Sequence, residues 1–153
     1  KALKKLGCLI KLNKNSIYLK TKKKLRPINI KTSPFPGFAT DNMPIILAVL
    51  SIVIGKSQIE ENIFSNRFMA VPELLRMGAK IKVKKNKATI IGQKSLKSAD
   101  CISSDLRTTF SIILGALSAN GETEISRIYH GLRGYYNLKN KLKKLGVRIK
   151  STV

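Results

Sequence analysis

The sequence predicts an α/β fold in which a βαβαββ unit recurs, with apolar helices clustered inside and sheets outside them. Three observations carry this. LKKLGCLIK at residues 3–11, LLRMGAKIK at 74–82 and LKKLGVRIK at 142–150 share one pattern, at spacings of 71 and 68 residues. Two stretches, 44–54 and 108–119, are apolar nearly all the way round a helix, and such helices are buried on most sides. Finally, 153 residues that are 43% hydrophobic suffice for one domain with a real core and argue against disorder.

The nonapeptide has a local physical reading. Leu138, Leu142 and Leu145 fall at i, i+4 and i+7 on one helix face. Gly146 then supplies the left-handed residue that ends a helix, and the alternation of Val147 and Ile149 begins a strand. Each copy thus reads as a helix end turning into a strand. After the first two copies a polar turn leads into a second strand, at 16–20 and 88–92. Upstream, Thr40-Asp41 precedes the first apolar helix and Ser104-Asp105 the second. Gly55 and Gly121 then open short strands at 57–61 and 122–126, a loop carries Arg67 or Arg133, and a second helix runs to the junction glycine.

The order is strand, helix, strand, helix, strand, strand. One complete unit is expected over 27–92 and a near-complete one over 98–153, its last strand missing or very short. Residues 1–26 read as the tail of a truncated earlier unit, so the chain is expected to begin mid-repeat. A period near 65–70 is too long for common solenoids and favours repeats folding around a shared core.

The formal net charge of +22 has two explanations. One is a polyanionic partner, which would make the chain a basic nucleic-acid-binding module. The other is compositional bias on solvated positions. Of the 30 basic residues 23 are lysine, beside 19 isoleucines and 10 asparagines, and these three residue types share A/T-rich codons. A reader of phosphates and base edges would draw more on arginine, whose planar fork suits them, so the composition argues against nucleic acid as a partner. The apolar run 44–54 is too short to span a bilayer, and no signal peptide is visible, which points to no membrane partner and a cytoplasmic setting. Cys8 and Cys101 have no metal-ligand or redox spacing, and Cys8 takes the small apolar slot that Ala79 and Val147 fill in the other junctions.

Aligning the copies on their junctions brings out the candidate chemistry. Asp41 and Asp105 sit at matching points just before a helix, and Arg67 and Arg133 follow 26 and 28 residues later. Two roles fit an aspartate there. It can cap the helix by accepting first-turn amides. It can also be a carboxylate beside phosphate-binding groups, which suits taking a proton from a hydroxyl near an anionic co-substrate. His130, the only histidine, follows a strand end and reads as structural. The segment 33–38, with Pro34 and Pro36, is a stiff turn whose task would be to fix where Asp41 points.

Five segments stand out together: Pro34-Phe-Pro-Gly-Phe-Ala-Thr-Asp41, Phe64-Ser-Asn-Arg-Phe-Met69, Glu73-Leu-Leu-Arg-Met-Gly-Ala-Lys80, Ser104-Asp-Leu-Arg107 and Arg127-Ile-Tyr-His-Gly-Leu-Arg-Gly-Tyr135. They resemble the UDP-N-acetylglucosamine 1-carboxyvinyltransferases, a family of enolpyruvyl transferases. The resemblance covers essentially the whole chain, in order. It implies the inside-out α/β barrel of the enolpyruvyl transferase type, of which this chain would be most of one domain. It further implies transfer of the enolpyruvyl group of phosphoenolpyruvate to the 3-hydroxyl of UDP-N-acetylglucosamine, the step that opens peptidoglycan synthesis, without a metal or organic cofactor.

Carried over by position, the resemblance makes Asp41 the catalytic carboxylate that contacts the sugar hydroxyl. Ile63 matches the aliphatic position whose backbone contacts the UDP-sugar. Arg67 and Arg133 match arginines that hold phosphoenolpyruvate and phosphate, and Asp105 and Arg107 line the same cleft. The chain departs from the family pattern at Met43, Ser65 and Leu132; the last two remove acids beside Arg67 and Arg133, which is expected to leave those arginines less well oriented. The family's cysteine-bearing loop and substrate-binding lysine would fall before residue 1. The chain is therefore expected to be inactive without the N-terminal part of the same enzyme, either as a fragment or as a degenerate, non-catalytic remnant.

Overall fold

The helix stops are written into the sequence and are found where it puts them. Gly7, Gly78 and Gly146 take φ of +98°, +80° and +88°, a conformation in which a side chain would be strained, and each ends a helix. The structure, a computed structural model, describes residues 1–21 and 24–150. It opens with helix α1 (Ala2–Lys5) and an antiparallel hairpin, β1 (Leu9–Leu12) and β2 (Ile17–Lys20).

The chain from 29 to 92 then runs β3 (Asn29–Lys31), α2 (Met43–Leu50), β4 (Gly55–Glu60), α3 (Val71–Arg76), β5 (Lys80–Lys84) and β6 (Lys87–Gly92). Short 3-10 turns at Thr40–Asn42 and Arg67–Ala70 lead into α2 and α3. The four strands form one sheet in the order β3-β4-β6-β5, with β3 parallel to β4 and the other pairs antiparallel. The rest follows as β7 (Leu96–Lys97), β8 (Cys101–Ile102), α4 (Leu106–Leu117), β9 (Ala119–Asn120), β10 (Ile125–Ser126), α5 (Tyr129–Leu132) and α6 (Leu138–Lys144). Here the strands are short and pair in parallel twos, β7 with β9 and β8 with β10.

Several boundaries differ from expectation. Helix α2 stops at Leu50 rather than 54, where the Ser51 hydroxyl donates to the Leu47 carbonyl at 3.0 Å and competes with the helical ladder. The strand expected at 122–126 shrinks to Ile125–Ser126. No strand forms at 147–150. β1 and β5 each have a following strand to pair with, whereas 147–150 meets no described strand, and an unpaired strand is not stable alone. His130 lies in α5, not at a strand end.

The alternation along β4 and β6 buries Ser57, Ile59, Ala88 and Ile90 on one face of the sheet and leaves Lys56, Gln58 and Lys87 in solvent on the other. Against the buried face lies α2, with Met43, Pro44, Ile46, Leu47, Ala48 and Leu50 all buried, and α2 packs in turn on α4. Ile112 of α4 is fully buried, and the Ser111 hydroxyl donates to the Pro44 carbonyl at 2.7 Å. Gly115 lets α3 approach α4, since a Cβ there would meet the Met77 sulfur at 2.9 Å. Helices therefore lie inside and the sheet outside. Every described lysine is exposed, so the excess charge is carried on solvated positions.

Candidate functional site

Asp105 begins α4 with extended backbone and caps it. Its Oδ1 accepts from the Arg107 and Thr108 amides at 2.8 and 3.3 Å, and its Oδ2 accepts from the Thr108 hydroxyl at 2.5 Å. Burial pushes its carboxyl up, but the Thr108 hydroxyl and the two amides outweigh that and hold it below the usual aspartate range. This carboxylate is spent on the helix start, and it fixes the first turn from which Arg107 projects.

Asp41 does not cap. It lies within the 3-10 turn before α2, and its side chain points to two arginines. Arg107 donates through Nε to Asp41 Oδ1 at 2.7 Å, and an Arg67 terminal nitrogen lies 3.3 Å from the same oxygen. The contact from Arg107 crosses 66 residues and ties the start of α4 to the start of α2. The Asp41 side chain is 60% exposed. Both arginines converge on Oδ1, while among the described residues Oδ2 has no hydrogen-bond partner. The arrangement is an accessible carboxylate oxygen flanked by two fixed cations. It can accept a hydrogen bond or proton from an alcohol, with guanidinium groups beside it for an anion.

Arg67 is well held without an acid at position 65. Its side chain is 12% exposed, its guanidinium lies 4.6 Å over the Phe64 ring, and its Nε donates to the Thr40 hydroxyl at 3.0 Å. The expected loss of orientation at Arg67 is therefore absent, because Thr40, Asp41 and Phe64 supply it. Behind Thr40 stands Glu61, only 3% exposed. Its Oε2 accepts from the Thr40 hydroxyl at 2.9 Å, and its Oε1 accepts from the Thr32 hydroxyl and the Ile63 and Phe64 amides at 2.9, 2.7 and 3.0 Å. Burial pushes the Glu61 carboxyl up, yet these donors outweigh it and leave it below the usual range. The sequence pattern does not mark Glu61 beyond its place at a strand end, because its partners come from three separate segments.

The remaining predicted residues lie apart from this cluster or bear on it indirectly. Ile63 is 40% exposed, and its amide is already given to Glu61, which leaves its carbonyl for any outside partner. Arg133 is exposed at the end of α5 and, among the described residues, makes no hydrogen bond or ion pair. Met43 is a core residue at 0% exposure, Leu132 is exposed, and the His130 ring lies tilted against Tyr129 with centroids 4.3 Å apart. Cys8 and Cys101 are buried, and burial followed by the nearby Glu73 carboxylate pushes the Cys101 thiol up to about 11. Neither thiol is presented for chemistry. Among the described residues, no helix is long and apolar enough to cross a membrane.

Comparison with known proteins gives this geometry its relatives. A profile of the family described as EPSP synthase (3-phosphoshikimate 1-carboxyvinyltransferase) matches residues 1–142. A UDP-N-acetylglucosamine 1-carboxyvinyltransferase from Pelagibacter ubique is 49% identical over 148 residues, 97% of this chain and 36% of that protein. One from Rickettsia prowazekii is 48% identical over 136 residues, 89% of this chain and 32% of that protein. Among solved structures, the enolpyruvyl transferase NikO from Streptomyces tendae superposes with a TM-score of 0.89 at 26% identity, covering 97% of this chain and 35% of that one. An EPSP synthase from Acinetobacter baumannii shares the fold at a TM-score of 0.68 and 20% identity, over 99% of this chain and 36% of that one.

The chain thus spans about a third of the length of the curated relatives it matches. Its helices-inside α/β arrangement is the enolpyruvyl transferase fold. With 142 of its 153 residues matched, the chain belongs to the EPSP synthase (3-phosphoshikimate 1-carboxyvinyltransferase) family.

Proposed function

We propose that this chain supplies one face of the active site of a UDP-N-acetylglucosamine 1-carboxyvinyltransferase. The observation that carries this is the exposed Asp41 carboxylate held between Arg67 and Arg107, which come from different helix starts and converge on one oxygen. In the reaction the sugar 3-hydroxyl gives up its proton, its oxygen gains the enolpyruvyl group of phosphoenolpyruvate, and inorganic phosphate leaves. Asp41 Oδ2 is the acceptor for the hydroxyl proton. Arg67 and Arg107 offset the charge of the anionic co-substrate, and a fixed guanidinium does this with no reorganisation at the moment of reaction. Arg133, exposed and without an ion pair among the described residues, remains open to a phosphate oxygen, and the Ile63 carbonyl to the nucleotide sugar.

On this reading residues 27–92 are a complete repeat, 98–153 a near-complete one and 1–26 the tail of another, in a cytoplasmic enzyme. The cysteine loop and the lysine of the family are supplied by its N-terminal part. The identity of nearly half over almost the whole chain, with relatives carrying that name, supports the substrate pair.

A chimera tests it. These residues would replace the matching third of the Pelagibacter relative, and phosphate release would be followed with phosphoenolpyruvate and UDP-N-acetylglucosamine. The chimera should turn over, its Asp41→Ala variant should not, and the 153-residue chain alone should be silent. A well-folded chimera that releases no phosphate would sink the reading.

A further inference from the structure

We propose that Glu61 is a positioning residue that aims Arg67 through the hydroxyl of Thr40; this rests on the function proposed above only for its effect on turnover. A carboxylate at 3% exposure is costly unless nearly every lone pair is used, and Glu61 accepts from four donors in three segments. The end of β3 gives Thr32, the approach to α2 gives Thr40, and the loop after β4 gives two amides.

The hydroxyl protons can be assigned from their partners. A threonine hydroxyl has one proton and two lone pairs. An ionised carboxylate can only accept, so the Thr40 proton points at Glu61 Oε2 and its lone pair is left for the Arg67 Nε–H at 3.0 Å. The Thr32 hydroxyl has the same polarity, donating to Glu61 Oε1 and accepting the Asn62 amide at 2.8 Å. With Nε committed to Thr40, the outer edge of the Arg67 guanidinium faces Asp41. The direction of one hydroxyl proton therefore decides whether Thr40 can hold the Arg67 Nε–H, alongside the Asp41 and Phe64 contacts.

Glu61→Gln is the discriminating change because it keeps shape and removes only the charge. Its carbonyl oxygen must stay on the side of Thr32 and the two amides, which puts its amide nitrogen against Thr40. That nitrogen is a donor, so the Thr40 proton must leave that side and turn either toward Arg67, where two donors would face each other, or into the hydroxyl's remaining position. The Arg67 Nε bond is then no longer enforced, although the side chain itself is untouched.

The test is the exchange rate of arginine Nε–H protons in the 15N-labelled 153-residue chain, with the Arg67 signal assigned by its absence from Arg67→Lys. Thr40→Val should speed exchange of the Arg67 signal by about tenfold, as expected for one lost hydrogen bond to a charged group, and Glu61→Gln should speed it by a smaller factor, because two orientations of the Thr40 hydroxyl then compete. Thr40→Ser should keep it slow, and the double variant should be no faster than Thr40→Val alone. Circular dichroism would establish that each variant keeps the native fold. Unchanged Arg67 exchange in a folded Glu61→Gln overturns the proposal; if that variant does not fold, unchanged exchange in Thr40→Val does so. In the chimera, Glu61→Gln should lower kcat more than it raises KM. A chimera without turnover would count against the function and leave the exchange result to judge Glu61.

Discussion

Asp41 and Asp105 stand at equivalent points before the two inner helices, but the structure uses them in opposite ways. Asp105 turns inward and spends its carboxylate on the amides of α4 and the Thr108 hydroxyl. Asp41 turns outward and meets two arginines. The difference begins one turn along the helix. Before α2 the 3-10 turn already accepts the Asn42 and Met43 amides on the Ala39 and Thr40 carbonyls, and Pro44 has no amide, whereas α4 opens with Leu106, Arg107 and Thr108, whose amides need an acceptor. A helix that does not need its cap releases an aspartate for other work. Duplicated positions thus diverge through the demands of their neighbours, and the capped copy also helps the uncapped one, because Arg107 departs from the turn that Asp105 holds.

The largest effects should come from what the two helices share. Leu47 of α2 and Ile112 of α4 are at 1% and 0% exposure in one cluster. Leu47→Ala and Ile112→Ala should each cost about 2–5 kcal/mol in urea unfolding, the usual range for a truncated buried aliphatic. A cost below about 1 kcal/mol on either side would show that the two helices do not share a core.

Next in size is the cap. Asp105→Ala should lower stability by about 1 kcal/mol, within the 0.5–2 kcal/mol range for lost caps, and Asp105→Ser should recover most of it. Acid sharpens this. The folded carboxyl of Asp105 lies below its ordinary value, so the unfolded chain binds the proton more readily. Its contribution is then fully present above the unfolded pKa of about 3.9 and is lost as pH falls through the lower folded value. Glu61 has the same sign and adds to the same acid limb. Urea midpoints measured from pH 5 to pH 2.5 should fall for the parent chain and fall less for Asp105→Asn. Parallel curves would mean that the cap does not hold the proton off.

Much of the architecture was legible because its causes are local. A glycine after an amphipathic stripe stops a helix whatever lies around it, and Gly7, Gly78 and Gly146 all do so. The alternation in β4 and β6 needed only period two. The strand expected after Gly146 failed because a strand also requires a partner, and pairing is not a local property. The site divides in the same way. Repeat spacing singled out Asp41 and Arg67, but not the Arg107 contact across 66 residues, nor Glu61, whose four donors gather only when three segments fold together. The sequence also left two roles open for each aspartate. The 3-10 turn and Pro44 at the start of α2, and the free amides and the Thr108 hydroxyl at the start of α4, decide between them.

The smallest expected effect on stability is the most informative about the outward aspartate. Asp41→Asn keeps the shape and removes the charge that draws Arg67 and Arg107 together. Its side chain is 60% exposed, and an exposed ion pair in water contributes little, so the unfolding free energy should move by less than about 0.5 kcal/mol. The local consequence should be larger. Asn keeps a neutral oxygen for the Arg107 Nε–H but loses the charge that strengthens the bond, so exchange of that proton should quicken, while the Arg67 Nε–H, held by Thr40, should stay slow. In the chimera the same change should cut turnover sharply, because an amide cannot take the alcohol proton. Unchanged stability with altered Arg107 exchange and lost turnover is the signature of a carboxylate placed for chemistry. A loss of stability as large as that of Asp105→Ala would show instead that Asp41, too, is holding its helix.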